Sequence, residues 1–221
     1  LLSYWDEHFG SIVGGWHEGD YDAPHRRQNP HMHLFEAFMS LYECSSNVRW
    51  LARASEIFAL FQVHFFDSKR GVVLEYFNHN WQPHSGEFGT QIEPGHMMEW
   101  VWLLGWRSRL FDVPLDPFAI KLYTQYVSAG IPEGQTPMVM TVDHRPVDPS
   151  RRLWSQTESL RAHLTVAEFG PAEFAGPALE RAVSCATAVW GASARRSLRR
   201  KYRRICNRST MSRRTRCWNA K

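Results

Sequence analysis

The chain has 221 residues, 43% hydrophobic and 14% aromatic, enough to bury one sizeable core or two small ones. Its formal net charge of +4 hides a segregation: residues 1–191 carry 14 basic and 22 acidic side chains, a net of −8, while 192–221 carry 12 basic and no acidic ones. No apolar run approaches a membrane span, and Cys44, Cys185, Cys206 and Cys217 form neither a C-x-x-C pair nor a disulfide framework, which suits a reducing cytosol.

The opening LLSYWDEHFG is no signal peptide, and without an initiating Met the chain reads as a fragment at both ends. GGWHEGDYDAP (14–24), GVVLEYFNHNWQP (71–83) and MVMTVDHRPVD (138–148) each place β-formers around a turn of Asp, Asn or Gly, so each predicts a short hairpin. Between them the apolar spacing predicts helices in pairs: 30–45 with 48–66, 94–111 with 116–129, and a third pair beginning near 151. Hairpin, helix, helix, repeated about every 60 residues, is the signature of a helical array in which each unit buries its neighbour's apolar side. The expected class is all-α, an α/α toroid with short β-hairpins between helix pairs, incomplete in this chain, with residues 1–191 as the barrel domain. The last amphipathic pattern, GPALERAVSCATAVW, stops near 191. The basic tail 192–221 that follows reads as a shifted frame of a GC-rich gene; a genuine nucleic-acid-binding arm and a solvated helix are the other readings.

Inner helices of such a toroid begin at the central cavity, so their first turns are the places to look for chemistry. RRQNPHMHLFEA (26–37) offers Asn29 as an N-cap with Pro30 at the first helical position. His33, Glu36, Ser40 and Glu43 form the polar stripe of that helix. His31 and His33 do not make a metal pair, because residues two apart on a helix point away from each other. In QIEPGHMMEWVWLLGW (91–106) His96 and Glu99 lie three apart at the mouth of a helix that is apolar on nearly every face, so they need partners, each other or a ligand. RRLWSQTESL (151–160) contributes Trp154, Gln156 and Glu158. Aromatic rings, carboxylates, imidazoles and amides converging from three helix starts suit a polyhydroxylated ligand; capping and core packing are the plain alternative for the same residues.

RRQNPHMHLFEAFMSLYE, GVVLEYFNHNWQP, EPGHMMEWVWLL and RRLWSQTESLRA, in this order and spacing, resemble the N-acylglucosamine 2-epimerase superfamily over about residues 1–190, and its mannose isomerase branch most. The resemblance implies an (α/α)6 barrel and interconversion of sugars at C1/C2 without a metal or nucleotide cofactor. It implies that His96 is a catalytic histidine with the Glu99 carboxylate beside it, fixing its tautomer. It also implies that Asn29 and His33 hold sugar hydroxyls and that Trp154 lines the pocket; Glu158 joins them as a candidate substrate-binding residue. The family also carries a second catalytic histidine near its C-terminus and an arginine upstream, yet no histidine follows His163 here, so the chain reads as truncated and impaired. The partner expected is a small sugar, with no membrane, nucleic acid only through the tail, and a homodimer left open. A sugar 2-epimerase and a non-catalytic helical scaffold with a nucleic-acid-binding tail are the competing functions.

Overall fold

The computed structural model describes residues 2–19 and 23–191. The tail, with Cys206 and Cys217, lies outside the described residues. Among the described residues seven α-helices follow one another: α1 (Leu2–Phe9), α2 (Asn29–Ser45), α3 (Val48–Leu60), α4 (Pro94–Phe111), α5 (Pro117–Ser128), α6 (Leu153–Phe169) and α7 (Ala172–Trp190). Short strands lie between them: β1 (Arg26–Arg27), β2 (Phe66–Asp67), β3 (Val72–Val73), β4 (Tyr76–Phe77), β5 (Gln91–Ile92), β6 (Val139–Thr141) and β7 (Pro146–Asp148). Helices α2, α4 and α6 form an inner row, and each packs against the helix after it, so that α4 lies between α2, α5 and α6. No described helix is long and apolar enough to cross a membrane.

The position of α4 explains its composition. Every residue from Pro94 to Gly105 is buried, including His96 and Glu99. A helix hydrophobic all round belongs inside a core, and here the rings of Phe35 and Phe61 stack on Trp100 at centroid distances of 5.5 and 4.3 Å. Two glycines permit the close approach of α4 and α6. A Cβ on Gly95 would stand 2.7 Å from the Trp154 ring and 2.9 Å from the Ser155 Cβ; one on Gly105 would stand 2.2 Å from the Thr165 methyl.

Three local expectations are corrected. Helix 48–66 is helical to Phe65, but only its first part is α: after Leu60, α3 passes into a π-helical turn at Phe61–Phe65 and then into β2. The chain turns there because the Asp67 carboxylate accepts from the backbone N–H groups of Lys69 and Arg70, and Gly71 takes the left-handed conformation (φ 72°). Segment 71–83 closes on itself only at its end, where Phe77 bridges Pro83 around the Asn78–Gln82 turn; β3 pairs back with β2, while β4 also pairs with β1. Of the first stretch, 14–24, the described residues make only an isolated bridge between Gly10 and Trp16. The buried guanidinium of Arg26 organises this loop by donating to the carbonyls of Gly14 and Trp16 at 3.1 and 3.3 Å, with Trp81 stacked 3.9 Å from it. The 138–148 hairpin forms as β6 and β7, with β5 added to its edge.

The third correction concerns Asn29. The residue at the cap of α2 is Gln28, in helical conformation and with no side-chain cap, while the amide of Asn29 reaches across to α4.

The two glycines make a test of this packing. Replacing glycine by alanine inside a helix normally stabilises it by about 1 kcal/mol. Gly95→Ala should instead destabilise the fold, by roughly 1–3 kcal/mol, because the indole and the Ser155 Cβ leave no room. Gly105→Ala should cost less, since the Thr165 methyl can rotate away. Urea midpoints of both variants would show the difference, and a stabilised Gly95→Ala protein would mean that α4 and α6 are not in close contact.

Candidate active site

His96 occupies the first turn of α4, and both of its ring nitrogens are engaged. Nδ1 lies 3.1 Å from Oε2 of Glu75 and 3.6 Å from Oε2 of Glu93. Because a carboxylate accepts, Nδ1 carries the proton. Nε2 lies 2.9 Å from the amide nitrogen of Asn29, and the ring centroid is 5.2 Å from that of Trp154 at the start of α6. The α4–α6 contact at Gly95 is what holds that indole against the imidazole.

Glu75 is itself buried and fixed from behind. Its Oε2 also accepts from Nε2 of Gln28 at 2.9 Å, the Gln28 carbonyl accepts from the indole of Trp100 at 2.8 Å, and the Gln28 backbone N–H donates to the Glu75 carbonyl at 3.1 Å. Trp100, Gln28, Glu75, His96 and Asn29 thus form one chain of contacts through the core. Burial, the largest influence on His96, pulls its pKa down. The charge and hydrogen bond of Glu75, with Glu93 and Glu99, outweigh this and hold the imidazole up at about 9. Glu93 is pushed up to about 7 by burial and by Glu75.

Glu99, one turn further along α4, does not bond to His96; its Oε1 faces His33 Nδ1 at 3.6 Å. The carboxylate that sets the His96 tautomer is therefore Glu75, not Glu99. Sequence reasoning passed over Glu75, although a lone carboxylate inside the apolar run GVVLEYF was a signal that something must satisfy it. Burial, followed by repulsion from Glu158, raises Glu99 to about 7. His33 is half-exposed and also stands 3.6 Å from Oε2 of Glu36. That contact raises the imidazole above its usual range and lowers Glu36. Glu158 accepts from the Trp102 indole, while the Arg161 guanidinium lies 3.3 Å over that indole and 3.4 Å from the same carboxylate.

The structure thus brings Asn29, His33, His96, Glu99 and Trp154 together around the starts of α2, α4 and α6, with Glu158 near enough to Glu99 to raise it. Gln156 is buried and bonded to Thr136, and so belongs to the packing of the loop before β6. His31 is a core histidine. Its nitrogens contact the Trp16 backbone N–H and the Arg27 carbonyl, and burial lowers it to about 4. His163 is likewise committed elsewhere, to Tyr123 at 3.0 Å and Glu133 at 2.9 Å. Among the described residues two His/Glu clusters have metal-ligand spacing, their donor atoms lying within 4.8 Å of one another: Glu75–Glu93–His96 and His33–Glu36–Glu99.

Comparison with known proteins fits this geometry. Residues 2–196 match the N-acylglucosamine 2-epimerase (GlcNAc 2-epimerase) family. Mannose-6-phosphate isomerase of Rhizobium meliloti (strain 1021) is 37% identical over 160 residues, covering 70% of this chain and 41% of that protein. D-mannose isomerase of Thermobifida fusca is 30% identical over 177 residues, covering 72% and 43%. A crystal structure of a D-mannose isomerase superposes with a TM-score of 0.68 at 20% identity, over 86% of this chain and 51% of that one. The paired helices are therefore those of the (α/α)6 barrel, and the chain spans roughly half the length of these relatives. With the match running over nearly all of the described residues, the chain belongs to the N-acylglucosamine 2-epimerase family.

Proposed function

We propose that this protein interconverts an aldose of the mannose type with its ketose by moving one proton between C1 and C2. The observation that carries the reading is the setting of His96: its Nδ1 proton is committed to Glu75, which leaves Nε2, beside Asn29 and Trp154, as the nitrogen that meets a ligand.

In this reading the neutral His96 takes the C2 proton of the open-chain aldose at Nε2. The C–H electrons form the C1–C2 double bond, and the carbonyl electrons move to O1, which takes up a proton, giving the enediol. His96 returns its proton to C1 as the O2 proton leaves and C2 becomes the carbonyl. The same group must accept the proton and give it back, and with the imidazole held up at about 9 its neutral, proton-accepting form grows as pH rises, so the rate should climb toward pH 9. Glu99, which burial and Glu158 keep largely protonated up to about pH 7, can donate to the sugar oxygen that gains charge. Asn29 and His33 are placed to hold hydroxyls, and Trp154 to cover an apolar sugar face. Glu75 is the positioning residue of His96. The names of the relatives support the substrate class.

Solvent deuterium is the sensitive test. D-mannose, or its 6-phosphate, incubated with the protein in D2O should gain deuterium at C1 or C2 and give the ketose; a C2 epimer as sole product would assign the protein to the epimerases instead. His96→Ala should slow incorporation by about 10²–10⁴-fold, the range of a positioned acid–base group. A variant that only melts earlier, with unchanged incorporation per folded molecule, would return His96 to the role of satisfying a helix start.

The charge balance gives a second test that needs no sugar. NMR titration of the unmodified chain should place His96 near pH 9. Removing the Glu75 charge takes away the main force that raises the imidazole and leaves burial, which lowers it. Glu75→Gln should therefore move the titration down by roughly 1–3 pH units. No movement would mean that Glu75 does not govern His96.

A further inference from the structure

The His33–Glu36–Glu99 cluster differs from its neighbour in one respect: its groups are gathered but not bonded. His33 Nδ1 stands 3.6 Å from Glu36 Oε2 and 3.6 Å from Glu99 Oε1, beyond the 2.7–3.2 Å typical of such a hydrogen bond. We propose that these three side chains form a binding site for a divalent cation of the zinc type.

The distances suit that ion. Zinc holds imidazole nitrogen and carboxylate oxygen at about 2.0–2.2 Å, so two corners of its tetrahedron stand roughly 3.3–3.5 Å apart. The two His33 contacts already match that edge to within a few tenths of an ångström, and all three donor atoms lie within 4.8 Å of one another. The donors come from two inner helices, His33 and Glu36 from α2 and Glu99 from α4, so the packing that fixes the helices also fixes the donors. Two carboxylates and a neutral imidazole balance a divalent charge. The His33 side chain is 52% exposed, which gives the ion a route in and leaves its fourth position for water or another oxygen.

The second cluster, Glu75–Glu93–His96, does not compete on equal terms. Its imidazole already shares a proton with Glu75 at 3.1 Å, and both side chains are buried. That proton does there what a cation would do.

Zinc at this position would occupy His33 and Glu99, two groups assigned above to the sugar. It would therefore act as an inhibitor competing with sugar, a consequence that rests on the proposed function while the site itself does not.

Calorimetric titration of the full chain with zinc chloride, without sugar, decides the site. Uptake of one tight equivalent is expected. Loss of outer-shell partners of a metal typically costs 10–100-fold in affinity, and loss of a ligand costs at least as much, so Glu36→Gln and His33→Gln should each weaken uptake by about 100-fold. Glu36 is half-buried and outside the groups assigned to His96, and the thermal melt of Glu36→Gln checks that it folds. Cobalt(II) on the unmodified chain provides a measurement independent of any variant: an intense visible spectrum of four-coordinate type without a thiolate charge-transfer band is expected. No tight uptake, uptake unchanged in both variants, or a thiolate band pointing to the cysteines would each overturn the proposal. Displacement of bound zinc by mannose then tests the sugar reading separately.

Discussion

The contact on which the rest of the site depends is the buried hydrogen bond between Glu75 and His96. Helix α4 is covered on every side from Pro94 to Gly105, so an imidazole in its first turn has no water to turn to, and a polar group without a partner there is costly. The partner comes from the strand region beside β4, and that partner in turn needs Gln28, which needs Trp100. The need to give that imidazole a partner links the start of α2, the β1–β4 pairing and the middle of α4, while Oε1 of Glu75 itself is left without a hydrogen bond. Stability alone does not require an ion pair at this point, since well-packed apolar residues of similar volume often do as well or better. What apolar residues cannot supply is an imidazole held in one tautomer and one orientation.

The acidic groups divide into two sets around α4. Glu75 and Glu93 lie behind the imidazole, at Nδ1, and raise it. Glu99, Glu36 and Glu158 lie further along α4 and across to α2 and α6, with the His33 imidazole beside Glu36 and Glu99 and the Arg161 guanidinium beside Glu158. Burial together with repulsion from Glu158 keeps Glu99 partly protonated near neutral pH, while Glu36, beside His33, is lowered and stays ionised. Two carboxylates from different helices, their oxygens within 4.8 Å of each other, thus end in different protonation states because their neighbours differ. Perturbed groups gathered at one set of helix starts are what an acid–base site requires, although structural ion-pair networks perturb groups as well.

The helical part of the fold was legible in the sequence because its signals are local. Apolar spacing marked α2, α4 and α5 to within a residue or so, and the buried character of α4 followed from its having no wet face. The 138–148 hairpin was legible from its turn. The strand pairings before α4 were legible only in part: the Asn turn of 71–83 closes as the Phe77–Pro83 bridge, but β3 pairs with β2 and β4 with β1, which lies 49 residues before it. The site shows the same limit. His96, Asn29, His33, Glu99, Trp154 and Glu158 could be chosen as polar or aromatic residues at helix starts, but who faces whom depends on contacts across 21 to 67 residues. Local rules paired His96 with Glu99, three residues away, and made Asn29 a cap. The tertiary structure gave His96 to Glu75, Glu99 to His33, and the Asn29 amide to His96.

The direction of α4 sharpens the reading of His96. The imidazole sits in the first turn of a helix, where the partial positive charge of the macrodipole disfavours a cation. The carboxylates behind it pull the other way, and strongly. The carboxylates win, holding the imidazole up at about 9, so the ring is mostly a cation near neutral pH and its neutral form grows as pH rises toward that value. With Nδ1–H given to Glu75, every change of charge takes place at Nε2. The Asn29 amide can meet either state, its NH2 donating to the bare nitrogen and, turned over, its carbonyl accepting from Nε2–H. An imidazole whose second nitrogen keeps a satisfied neighbour in both protonation states loses little on gaining or giving up its proton. A reaction that removes a proton from one carbon and returns it to the next needs that property of its base.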